Sequence, residues 1–136
     1  MQAIKSIGIE IESVTCDGAS SILKVVREVC PDAILQRCTF HIAKDVSTLL
    51  TTRKPKNESA RELKELVELL SKIESQQEAQ LWIIAFVDWH KKNREFINQK
   101  TADEITGRWW YTHKGLHRST THIIRAIPCM FNWKCT

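Results

Sequence analysis

The stretch Glu12–Val46, "ESVTCDGASSILKVVREVCPDAILQRCTFHIAKDV", decides the fold. Ile7 to Cys16 is rich in β-branched residues and begins with period-2 alternation, which predicts a strand over about Ile11–Cys16. Asp17-Gly18 breaks it. Ser20 or Ser21 is placed to cap a helix by accepting a hydrogen bond from an unpaired first-turn amide. Ile22, Leu23, Val25, Val26 and Val29 then form a helical stripe, which Cys30-Pro31-Asp32 ends. Ala33–Cys38 is an apolar run of strand length, and Phe40–Leu50 is helical again, with Ile42, Val46, Leu49 and Leu50 on its apolar side. Strand, helix, strand, helix predicts two parallel strands joined by a right-handed crossover. Two parallel strands are not a stable sheet alone, so further strands are expected from elsewhere in a longer protein or from a second copy.

Outward from this unit the chain changes character. Thr51–Asn57 is polar, basic and interrupted by Pro55, and reads as a linker. Residues 56–133 look helical almost throughout. Ala60, Leu63, Leu66, Val67, Leu70 and Ile73 recur every three or four residues between charges, as an amphipathic helix requires. Ala79, Trp82, Ile83, Phe86, Val87 and His90 repeat the pattern from about Gln76. Arg94–Ile97 continues that helix or forms a separate turn. Leu116, Thr120, Ile123, Ile124 and Ile127 mark a last helix that Pro128 should stop. Trp82, Phe86 and Trp89 are expected in the core, and the charges of Arg61–Lys72 on a solvated face.

The totals exclude several classes. With 136 residues and 43% apolar side chains, the chain can build a real core. No apolar run reaches the roughly 18 residues of a membrane span, and Met1–Lys5 lacks a secretory signal's apolar core, so a cytoplasmic protein without membrane partners is expected. Five cysteines with no Cys-x-x-Cys pair predict reduced thiols and no disulfide framework. The net charge of +4 is compatible with a nucleic-acid partner but does not by itself select one.

Three groups could carry chemistry. Asp17 follows a strand, where parallel α/β sheets gather reactive groups. Its carboxylate could bind a hard divalent cation such as Mg²⁺, or it could only start a turn or cap a helix. Cys38 and His41 share one helical face. Cys-x-x-His is half of a zinc site, which His113, His117 and His122 could complete; the alternative is a buried thiol beside a hydrogen-bonded histidine. A Cys–His nucleophile lacks a third, orienting group. Arg108–Arg118 mixes aromatic planes with cations: Trp109 and Trp110 could stack on bases while Arg108, Lys114, His117 and Arg118 meet phosphates, or the tryptophans could fill a helical core.

Val14–Gly18, Ser21-Ile22, Pro31–Ala33 and Gln36–His41 together resemble the Mutator-like DDE transposases and their bacterial insertion-sequence relatives, whose D-G, P-x-A and Q-R-C-x-x-H blocks match in order and spacing. Tyr111–Ser119 is similar to a segment that the bacterial members carry before their last catalytic residue. The resemblance implies an RNase H-like α/β core, here a partial βαβα unit over residues 1–52, followed by a mostly helical insertion over 53–136. It implies two-metal phosphoryl transfer on DNA, with Mg²⁺ or Mn²⁺ held by two Asp and one Glu in the intact enzyme. Asp17 matches the second Asp; Cys38 and His41 match the family's structural or near-site pair. The first Asp and the final Glu have no match, Glu104 standing in no matching motif. The expectations are therefore an internal transposase fragment that binds no metal by itself and does not cut DNA, and a homo-oligomer formed through an open strand edge. The competing expectation is a helical DNA- or protein-binding module without catalysis.

Overall fold

A computed structural model describes residues 6–50 and 55–131. Strand β1 spans Ser13–Cys16 and pairs in parallel with β2, Ile34–Arg37, from Ser13 opposite Ile34 to Cys16 opposite Arg37. β1 starts later than alternation suggested. Upstream of Ile34 the second strand's chain is turning, with the Ala33 amide donating to the Cys30 carbonyl, and the pairing starts where the Glu12 carbonyl accepts the Ile34 amide. Beyond the ladder the Cys38 amide donates to the Cys16 carbonyl at 2.8 Å, and both strands end together.

Helix α1, Ser20–Val29, fills the crossover. Neither serine caps it: Ala19 stands at the N-cap, and the Asp17 carboxylate accepts the Ala19 amide at 2.9 Å. Gly18, at a φ of +90°, turns the chain so that Asp17 reaches past it. Helix α2, Thr39–Leu49, starts directly from β2 with Cys38 at its N-cap.

The remaining chain is α3 (Glu58–Glu68), a 3₁₀ turn at Leu70–Lys72, α4 (Gln76–Ile97), an antiparallel hairpin of β3 (Lys100–Ala102) and β4 (Trp109–Tyr111), and α5 (Lys114–Met130). The Asn57 side chain caps α3 through the Ala60 amide, and Ser75 with Glu78 forms a capping box on α4. Arg94–Ile97 continues α4 without a break. α5 runs through Pro128 and ends at Met130. The bond that proline cannot make lies in the last turn, on the side where Ile124 and Pro128 face solvent, so its loss is tolerable there.

The core lies among α2, α3, α4 and α5. Ile42, Val46, Leu63, Val67, Phe86 and Ile123 are almost completely buried. Burying each such side chain is worth about 1.5–3 kcal/mol, against about 0–1 kcal/mol for an exposed ion pair. The Glu58–Arg61, Lys64–Glu68 and Glu62–Lys92 pairs therefore decorate a solvated face, as the charge pattern indicated, and the apolar rows set the packing. Trp82, Phe86 and Trp89 form the expected aromatic column. The Trp82 indole donates to the Leu66 carbonyl at 2.7 Å, so the tryptophan is buried with its polar edge satisfied. Buried Asn93 accepts from the Ser59 hydroxyl and donates to the Trp89 carbonyl, tying α3 to α4. The strand pair joins this body through buried Gln36, whose amide donates to the Met130 carbonyl at the end of α5. The predicted linker lies partly at residues 51–54, and the boundary between 52 and 53, the start at Met1–Lys5 and Cys135 also fall outside the described residues.

Candidate functional site: strand tips, hairpin and last helix

Asp17 stands one residue beyond β1, where β1 and β2 both end. One carboxylate oxygen is engaged by the Ala19 amide. Across Gly18 lies a guanidinium: a Cβ placed on that glycine would meet the Arg37 side chain at 2.0 Å. The turn therefore lies directly under the Arg37 guanidinium, and the Arg37 Nε is buried without a hydrogen-bond partner. Among the described residues no group of three or more His, Cys, Asp or Glu side chains is placed to hold a metal ion. Cys38 serves the backbone, its amide bonded to Cys16 and its carbonyl accepting the Ile42 amide at 3.2 Å. His41 lies edge-on to Phe40, and its Nδ1 is buried without a partner.

Trp109 and Trp110 stand on a strand, not in a helical core. The local cause is the turn before them. Asp103 Oδ1 accepts the Ile105 and Thr106 amides at 2.8 Å, its own amide donates to the Arg108 carbonyl, and Gly107 adopts a φ of +66°. These backbone donors, Thr106 first, hold the Asp103 carboxyl below its usual pKa. Once the turn closes, Trp-Trp-Tyr-Thr is a strong strand former. Asp103 and Gly107 flanking a short polar run were the signal that a reading based on helical period missed.

The hairpin is an exposed aromatic and cationic surface. Trp109 is 53% exposed and Trp110 37%. Lys100 lies 4.2 Å from the Trp109 ring centre, and Trp109 meets Tyr111 edge-on. Tyr111 stacks on His117 at 3.6 Å, which carries this face onto α5. Trp110 points to the other face, where Lys114 approaches it at 5.6 Å. Arg108 and Arg118 are exposed. The structure thus gathers the six expected contact residues around β4 and the first turns of α5, and adds Lys100 and Tyr111, which sequence reasoning did not select. His113 turns away: it stacks on Phe96 at 3.8 Å and its Nε2 lies 3.0 Å from Gln99 Oε1. His113 and His117 therefore engage different rings despite their i, i+4 spacing.

Further along α5, His122 Nε2 lies 3.4 Å from Asp45 Oδ2 on α2. Its pKa is pulled below the ordinary value, chiefly by burial, with Asp45 opposing and Arg37 adding to the depression. Arg37 thus stands over Gly18 and also within electrostatic reach of α5. Among the described residues no helix is long and apolar enough to cross a membrane.

Comparison with known proteins adds one match. No curated protein and no solved structure matches the chain significantly. A family model described as transposase, Mutator family, matches residues 1–123. That match covers both the Asp17 turn and the hairpin with most of α5, and the chain belongs to the Mutator family of transposases.

Proposed function

We propose that these residues form part of an RNase H-like transposase core (residues 1–52) and its helical insertion (53–136). In this reading Asp17 contributes one ligand to a Mg²⁺ or Mn²⁺ site, and the hairpin with α5 holds DNA. The observation that carries the reading is the position of Asp17 at the carboxyl ends of a parallel strand pair, in a chain that the family matches over residues 1–123. Such strand ends are where parallel sheets collect reactive groups. When bound, the ions would supply Lewis-acid stabilisation to the scissile phosphate. This chain's own residues do other work: Asp17 orients the turn, Arg37 places positive charge beside it, and Trp109, Trp110, Arg108, Lys114, His117 and Arg118 offer stacking planes and cations. Cys38 and His41 act as structural support under the strand tips.

In this proposal the chain alone binds DNA without cutting it, because the remaining carboxylates are not supplied by the described elements. Supercoiled plasmid incubated with the protein and Mg²⁺ should stay supercoiled. Mg²⁺-dependent nicking that vanishes in Asp17→Ala would overturn the proposal. A second reading, a binding module for a protein partner, is favoured by one observation. Between α3 and α4 an apolar groove is lined by Leu66, Leu69, Leu81 and Trp82, with Leu69 48% and Leu81 65% exposed. Weak, salt-insensitive DNA binding would select it.

A further inference from the structure

The cationic surface at the hairpin continues along helix α5. His117, Arg118, Thr121, His122 and Arg125 recur at one- and three-residue steps, so they lie along one side of the helix. With Leu49 of α2 they line a groove of about 390 Å³. Arg118 and Arg125 are exposed, and among the described residues neither pairs with a carboxylate. The acid facing the groove from α2 is Asp45, which lies against His122. The Thr121 hydroxyl donates back to the His117 carbonyl at 3.0 Å. What the groove offers is therefore positive charge, not hydroxyl donors.

Two unpaired arginines beside a concave surface need an anion of matching spacing. Arg118 and Arg125 are seven residues apart, about 10 Å along the axis at roughly 1.5 Å per residue. Each strand of a duplex carries one phosphate per about 3.4 Å of its axis, so two cations this far apart can reach different phosphates of one backbone. His117, stacked on Tyr111, joins the groove to the exposed Trp109 face, and the charge of Arg37 joins it to the strand tips.

We propose that the Arg118–Arg125 face of α5 is a phosphate track for duplex DNA, leading from the β3–β4 hairpin toward the strand tips beside Asp17. This rests on the DNA-binding reading above and adds Arg125 and His122 to the contact surface. The track carries no base-reading role: cations on phosphates position a duplex without selecting its sequence.

The experiment compares the salt dependence of duplex binding, by fluorescence anisotropy on a labelled oligonucleotide, for three proteins. These are the wild type, the double variant Arg118→Gln/Arg125→Gln, and a control of equal charge loss on other surfaces, Lys72→Gln/Lys91→Gln. The expected result is that the arginine variant's log–log salt slope shrinks by about 2, so that a fourfold rise in salt costs it roughly tenfold less affinity than it costs the wild type. The control should keep most of the wild-type slope. An equal loss in both double variants would reduce the effect to net charge and overturn the track. A wild-type protein that binds with an unchanged slope in the arginine variant would also overturn it, while leaving the DNA-binding reading standing. A wild-type protein that does not bind duplex DNA at low salt would sink that reading and the track together.

Discussion

His122 answers most directly to pH. Burial and the Arg37 charge depress its folded pKa below the unfolded value, so the unfolded chain takes up its proton first as pH falls. Its contribution is present above the ordinary histidine range and is lost as pH drops through that range, levelling off below the folded pKa. Urea unfolding at pH 7.5 and pH 5 should therefore show the wild type losing more stability at the lower pH than His122→Gln does. Equal losses would mean that Asp45 compensates fully for burial. At this scale the sequence was legible where chemistry and chain position coincide. Asp17 was recognisable as a carboxylate after a strand, and its bond to the Ala19 amide belongs to the turn reading that Asp-Gly also allowed. Arg37 was not singled out, because nothing local shows that its side chain folds back over Gly18.

Among elements, α2 and α5 meet closely at Gly115. A Cβ on Gly115 would lie 2.4 Å from the Leu49 carbonyl oxygen at the end of α2. That neighbour is backbone, so it cannot swing aside. Gly115→Ala should gain about 0.8–1.0 kcal/mol of helix propensity but lose more to overpacking, typically about 1–3 kcal/mol. The check is a lower urea midpoint at unchanged slope. A midpoint above that of the wild type would show that the two helices separate freely. The long helices were legible because their apolar periods are regular; their polar caps, Asn57 and the Ser75–Glu78 box, were not read from the sequence. The hairpin was not, because its strands are three residues each, too short for a period to register, and its closure depends on Asp103 and Gly107.

For the whole molecule, the uneven covering of the two ends matters. The helical body buries its aromatic column, yet around the strand pair Ile22, Val25 and Ile34 remain 41%, 46% and 36% exposed. Among the described residues the β1–β2 sheet has two strands only, so both of its edges are open. Open backbone edges beside uncovered apolar side chains favour pairing with another copy. Multi-angle light scattering should report a dimer or larger species at tens of micromolar. A monomer at that concentration would show that solvent and the chain itself satisfy those edges. The order of strand and helix was readable from alternation and punctuation. The way α5 returns to the strands was not, since it is a tertiary contact without a local signature.

That return has a consequence for biosynthesis. Gln36 and Met130, bonded side chain to backbone, are 94 residues apart in the chain. A nascent polypeptide emerges at roughly 5–20 residues per second. The anchor that fastens the first strands to the body is therefore translated several seconds after the strands themselves. The early βα segment passes that interval without its anchor, its apolar side chains exposed to whatever lies nearby.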